Sequence, residues 1–377
     1  MPRPRIALPC PRPRLADSVL ARVAALAAVG AIGAAGLAVT ESGVVPAAAG
    51  LAAPSASGRH PVGVSTAHRP MPRAAHRAGS RRAAAAPARH RTAPAKYRTA
   101  KHRTAKAGRR ASGHARWLPT GMGMWLYEWR HSNHGDAASI VRRARSVGLT
   151  TLYLRTGSSW DGFAGGGHLR RLLHATRGTD VRVVAWDFPR LWHPYRDAAR
   201  LARAARVSGG RGGPRVAAVA PDIETPSEGT FNAAWRVHRY LRALRRSLPK
   251  NVAILTAVPW PSRYRIHDYP YHAVASHSDA LVPMAYWYNN RPGLVTGRSI
   301  HYLKRFHRPV QPVGQGYDGK LDVPSLRHNL LRRQVPAFFR AAHEHGARAV
   351  SLWSWQAAPP AVWKALARFR HRFPAHR

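Results

Sequence analysis

Carboxylates are scarce in this chain, which makes their positions informative. Of 377 residues only 16 are Asp or Glu, against 61 Lys or Arg, and 14 of those acids fall in residues 116–377. Two of them, Asp222 and Glu224, form a D-x-E pair in the stretch A-V-A-P-D-I-E. On a β-strand, residues two apart share a face, so the two carboxyl groups stand within mutual reach. Repulsion between like charges then raises the pKa of one, which can hold a proton near neutrality and deliver it to a leaving oxygen. Cleavage of a glycosidic bond calls for such a pair.

Other chemistries lack their residues. Cys10 is the single cysteine, so an internal disulfide and a Cys-based zinc site are excluded. The histidines show no H-E-x-x-H spacing, and no metal or other cofactor is expected. There is no G-x-S-x-G elbow of a serine hydrolase, and the glycine clusters at Gly157 and Gly165 lack the Lys of a phosphate loop.

The acids need elements to position them. From Trp117 onward, short apolar segments rich in Val, Leu and aromatic residues alternate with helical patterns. Strands are expected at 123–129, 151–156, 181–188, 216–224, 252–258, 280–287, 310–316 and 349–356. Helical runs lie between most of them, beginning near Asp136, His168, Asp197, Thr230, Ser299, Val335 and Pro360. With Glu128, Arg155, Asp187, Glu224, Ala257, Tyr286, Gln315 and Trp355 as strand ends, the spacings are 27, 32, 37, 33, 29, 29 and 40 residues. Eight βα units predict an α/β fold of the (β/α)8 TIM-barrel type, whose site is built at the C-terminal ends of its strands. A doubly wound open sheet is the competing arrangement, but no G-x-G-x-x-G follows the first strand.

Alternation within the strands sorts the side chains. On the fourth strand Ala218, Ala220, Asp222 and Glu224 share the inward face. On the eighth Ser351, Trp353 and Trp355 do, on the sixth Val282, Met284 and Tyr286, and on the third Val183, Ala185 and Asp187. The expected mouth therefore gathers Asp187, Asp222, Glu224, Tyr286, Trp353 and Trp355, with Glu128, Arg155 and Gln315 at neighbouring strand ends. Trp and Tyr offer flat faces to the apolar faces of sugar rings.

The stretches A-V-A-P-D-I-E, P-M-A-Y-W and S-L-W-S-W-Q together resemble the glycoside-hydrolase superfamily of TIM barrels. The D-x-E ending and the M-x-Y are similar to family 18, the chitinase-like enzymes. That resemblance implies Glu224 as general acid, Asp222 as the carboxylate that orients a substrate acetamido group, Tyr286 as its helper and Trp353 as the floor of a sugar subsite. Family 18 carries further aspartates ahead of the D-x-E, where this chain has Ala217 and Ala220, and an acidic residue after the sixth-strand Tyr, where it has Trp287. The stretches L-Y-L-R-T-G-S-S-W-D-G, P-D-I-E and L-W-S-W-Q also look similar to the family 25, lysozyme-like barrels. The first-strand Asp of that family is absent, with Glu128 nearby as a substitute.

Three segments follow. Residues 1–50 carry five Arg ahead of an uncharged run, Val23 to Thr40, and then V-P-A-A-A-G; they read as a signal peptide with cleavage before Gly50, or as a membrane anchor if uncut. Residues 51–115 hold 15 basic side chains and no acidic one, the composition of a disordered tether able to hold anionic cell-surface polymers. Residues 116–377 form the barrel. The expectation is an exported, monomeric, cell-surface protein that cleaves a wall or N-acetylated polysaccharide. The alternatives are a carbohydrate-binding barrel without activity and a polyanion binder for nucleic acid, the latter disfavoured by the export signal.

Overall fold

The computed structural model describes residues 116–321 and 331–374. The expected signal or anchor at 1–50 and the expected linker at 51–115 lie outside the described residues.

Eight strands run in parallel and close on themselves: β1 (Gly121–Leu126), β2 (Leu149–Ser158), β3 (Arg182–Phe188), β4 (Ala218–Pro221), β5 (Ala253–Pro259), β6 (Ala280–Ala285), β7 (Val313–Gln315) and β8 (Ala349–Trp353). β1 pairs with both β2 and β8, which completes the (β/α)8 barrel read from the spacing. The helices are α1 (Ala137–Ser146), α2 (Gly166–Ala175), α3 (Pro194–Ala204), α4 (Ala234–Ser247), α5 (Arg265–Asp268), α6 (Tyr271–Ala275), α7 (Pro292–Lys304), α8 (Leu331–Glu344) and α9 (Pro360–Phe369). The short helices α5 and α6 occupy the β5–β6 connection, for which the sequence pattern names no helix. Asp136 starts α1 by accepting the Ala138 N–H at 3.0 Å, while α3, α7 and α9 start on Pro194, Pro292 and Pro360, where a missing N–H costs nothing. Among the described residues no helix is long and apolar enough to cross a membrane.

The apolar residues form two layers. One lies between strands and helices and includes Met122, Met124, Leu152, Val183, Ala185, Val219, Ile223 and Leu352. The other fills the barrel and is lopsided. Trp125, Tyr153 and Trp186 come from β1 to β3, whereas Ala218, Ala220, Ala253, Ala257 and Ala280 come from β4 to β6. Trp125 and Tyr153 stack nearly parallel at 4.4 Å between centroids. That close fit needs Gly123 on β1, because a Cβ there would sit 2.7 Å from the Tyr153 ring. The large rings thus fill one side of the barrel from within, and small residues line the side that carries the D-x-E pair.

Candidate active site

β4 is short, but its extended course continues: Asp222 bridges Ala257, the Asp222 N–H bonds the Asp187 carbonyl at 2.9 Å and the Ile223 N–H bonds the Ala257 carbonyl at 3.2 Å. The alternation therefore holds. Ile223 turns into the outer core layer, leaving Asp222 and Glu224 on the face of Ala218 and Ala220, at the mouth. Asp222 is buried, and its Oδ1 has no hydrogen-bond partner among the described residues. Burial pushes its carboxyl up to about 7, with the charges of Glu228 and Asp187 adding to the effect.

Glu224 is half-buried, and its carboxyl is held well above the usual range. Desolvation contributes most, followed by the negative charges of Glu228 and Asp222 and a hydrogen bond to Glu228; Arg265 opposes the shift. Glu228 is a third carboxylate of the site that strand alternation does not reach. It is set by a capping box in T-P-S-E: the Thr225 N–H and hydroxyl donate to Glu228 Oε2 at 3.1 and 2.9 Å, closing a single 3₁₀ turn, Pro226–Glu228, that folds the carboxyl back onto Glu224. The S/T-x-x-E signature that marks such a turn is present in the sequence. Two further side chains brace this unit from behind. Asn232 donates to the Glu224 carbonyl at 3.0 Å, and the hydroxyl of Tyr269 donates to the Ile223 carbonyl at 2.7 Å, between the two acids.

Opposite the acids lies an aromatic floor. Trp353 is 5.6 Å from Tyr127, 5.6 Å from Trp186 and 6.3 Å from Trp125, ring centre to ring centre. Gln315 pairs in register with Trp353 and accepts the Tyr288 N–H at 3.0 Å, so it shapes the loop after β6. Tyr286 leaves β6 toward the interior layer and meets the edge of Tyr317 at 6.2 Å. Arg155 lies 4.7 Å over the Tyr127 ring and is held by Asp161 at 2.5 Å.

Three expected mouth residues stand elsewhere. On β3 the inward residues are Val184, Trp186 and Phe188, so Asp187 faces the helices and is fully buried. There Arg200 of α3 binds it through two hydrogen bonds, 2.6 and 2.8 Å, and reaches Asp197 at 2.7 Å. A carboxylate at a strand end serves equally a mouth or an ion pair with a helix, and here the arginine decides. Trp355 also leaves the mouth: β8 ends at Trp353, and the following turn, Trp355–Ala357, sends the Trp355 indole into the outer core layer. It lies 4.8 Å from Trp363, donates to Asn133 Oδ1 at 3.1 Å, and walls a separate cavity of about 610 Å³ with Arg130, His131, His134 and Arg143. Glu128 lies two residues beyond β1 in a half-buried loop, and its neighbour Tyr127, just past the strand, is the residue that packs on the interior layer beside Trp125.

Chemically, Asp222, Glu224 and Glu228 form a cluster of acids in which Glu224 holds a proton more tightly than an isolated carboxyl, in a barrel whose interior also carries the rings of Trp125, Trp186 and Trp353. Among the described residues no group of three or more His, Cys, Asp or Glu side chains is arranged to hold a metal ion.

No family model and no curated relative match the chain. Similar solved structures include a chitinase from Chromobacterium violaceum ATCC 12472, at TM-score 0.46 and 12% identity over 66% of this chain and 98% of that one. An endo-1,4-beta-mannanase from Rhizomucor miehei is similar at TM-score 0.48 and 8% identity, over 67% and 94% of the two chains. The GH99 endo-alpha-mannosidase from Bacteriodes thetaiotaomicron is similar at TM-score 0.48 and 12% identity, over 68% and 97%. At these scores the likeness is one of barrel outline and carries no weight in assigning chemistry.

Proposed function

We propose that this protein is a glycoside hydrolase acting on an N-acetylated wall polysaccharide, with Glu224 as its general acid. The observation that supports this reading is the placement of Glu224: a carboxyl whose pKa is raised because it is desolvated and flanked by two acids, at the mouth of a barrel and across from the Trp353 floor.

In this reading a sugar ring rests on Trp353, and Glu224 gives its proton to the glycosidic oxygen as the bond to C1 breaks. Asp222 orients the neighbouring acetamido group, whose carbonyl oxygen forms the new bond to C1, or else serves as base toward a water. Tyr286 steadies the acetamido group. In the second half Glu224, now a carboxylate, takes a proton from the water that attacks C1. Export by residues 1–50 and retention at anionic polymer by the 15 basic residues of 51–115 complete the proposal.

A Glu224→Gln variant tests it by release of reducing ends from chitin oligosaccharides and from peptidoglycan. Loss of a general acid lowers the rate by about 10²–10⁴-fold; full hydrolysis by the variant overturns the assignment. A second reading, a glycan-binding barrel without turnover, draws on Ala220, an interior residue where the family 18 resemblance calls for an aspartate. Binding measured by calorimetry with no release of reducing ends selects that reading.

A further inference from the structure

Exposed aromatic rings gather beside the mouth, on the loops after β2, β3 and β4 and at the start of α4. Trp160 is 65% exposed, Phe231 53% and Trp235 50%, whereas most large apolar side chains of the described residues are buried. Trp160 and the half-buried Trp192 meet edge to face at 4.6 Å, and Phe231 lies 6.4 Å from Trp192. Guanidinium groups clamp these rings. Arg190 stands over Trp160, Trp192 and Phe188 at 5.4, 5.7 and 5.1 Å, Arg236 over Phe231 and Trp235 at 5.6 and 4.5 Å, and Arg239 over Trp235 at 4.8 Å.

Apolar rings left in water add nothing to folding, and a rigid contiguous set of them marks a contact surface. This set is rigid. Arg190 donates to the Glu228 carbonyl at 2.9 Å, Arg236 donates to the Leu191 and Trp192 carbonyls at 2.8 and 3.1 Å, and the Phe231 N–H bonds the Arg190 carbonyl at 2.8 Å. It is also unneutralised. Of the neighbouring acids, Asp161 is matched by Arg155 and both Asp187 and Asp197 by Arg200, and Glu228 is held in the acid cluster by Thr225, whereas Arg190, Arg236 and Arg239 make no ion pair among the described residues. Through Phe188, which packs on the barrel interior, and through the Arg190–Glu228 bond, the shelf runs directly into the acid cluster.

We infer that this shelf binds the extended part of a glycan chain that carries negative charges, its rings stacking on sugar faces while Arg190, Arg236 and Arg239 meet carboxylates along the polymer. This deepens the proposed function, on whose glycan reading of the mouth it rests, by specifying an anionic polymer in place of a neutral one. Rings interleaved with arginines also suit single-stranded nucleic acid, which the test treats as a competing outcome.

The experiment compares the full-length chain with a Trp160→Ala, Trp235→Ala, Arg239→Gln variant, all three changes lying in the shelf and outside the acid cluster. Three probes are titrated: peptidoglycan glycan strands freed of peptides, which carry a lactyl carboxylate on each disaccharide; the same strands with those carboxylates reduced to alcohols; and a 20-mer oligothymidylate. The expected result is tighter binding of the charged strands than of the reduced ones, and a loss of at least about tenfold on the charged strands in the variant, with an unchanged Tm. Equal affinity of variant and parent overturns the inference, as does equal affinity of the parent for charged and reduced strands. So does oligothymidylate binding tighter than the charged strands and lost in the variant. Turnover of a short N-acetylated oligosaccharide is read in parallel. Absence of turnover in both proteins with the binding loss intact removes the hydrolase reading alone, and normal turnover in both without a binding loss removes the shelf alone.

Discussion

The carboxyl of Glu228 lies against that of Glu224, brought there by the two hydrogen bonds that Thr225 gives to Glu228 Oε2. Glu228 thereby raises the affinity of Glu224 for its proton in two ways, by charge and by hydrogen bonding.

Replacing Glu228 by Gln removes the charge and lowers the pKa of Glu224. A general acid works only while protonated, so the alkaline limb of the kcat/KM profile moves to lower pH and activity at neutral pH falls. An unmoved alkaline limb shows that Glu228 has no hold on the acid.

Asp222 has the opposite consequence for stability. Its folded pKa of about 7 exceeds the value of about 3.9 expected in the unfolded chain. The native state therefore binds the proton more tightly, and stability declines as pH rises from about 4 through about 7. Asp222→Asn relieves that loss: chemical denaturation gives a variant more stable than the parent by about 2–4 kcal/mol near pH 8, the gain vanishing near pH 4. A gain that persists at pH 4 comes from some other cause.

Asp187 is a matter of folding. Removing one member of a buried, hydrogen-bonded ion pair costs up to about 3–5 kcal/mol, and without Asp187 the buried Arg200 keeps only Asp197 as an acid partner among the described residues. Asp187→Ala lowers Tm accordingly, while KM for short oligosaccharides stays unchanged. Asp187→Leu combined with Arg200→Leu recovers much of the loss, since Asp197 keeps the Ser159 hydroxyl at 2.8 Å and the Leu191 N–H at 3.0 Å. A rise in KM with normal stability assigns Asp187 to substrate instead.

The two tryptophans of S-L-W-S-W-Q separate by the same logic. Trp353→Ala raises KM, because the ring it removes faces the mouth. Trp355→Ala empties a core position and costs about 3–5 kcal/mol, read as a lower Tm with KM held. The reverse pattern refutes the placement of both indoles.

The barrel was legible in the sequence because each βα unit repeats its own punctuation, and the eight strand segments follow from apolar runs at near-regular spacing. The D-x-E face of β4 was legible too: small residues alternate there with Val and Ile, and two charges at the end of the small-residue face can only stand at the mouth. On β3 the alternation is silent. Val183 and Ala185 on one face and Val184 and Trp186 on the other are all apolar, as befits a strand buried on both sides. Only the position of Arg200, thirteen residues away on α3, decides which way Asp187 turns. Trp355 shares that cause, since the strand ends two residues before it and the turn is settled by packing on Trp363 and Asn133. The sequence by itself determined the strands, the helices around them other than α5 and α6, and the scarce acids of β4, since these depend on local periodicity. Tertiary structure alone decided that Asp187 is an ion-pair residue and that exposed rings and arginines from three loops and the start of α4 form one shelf, because each depends on contacts between segments that no single stretch of chain contains.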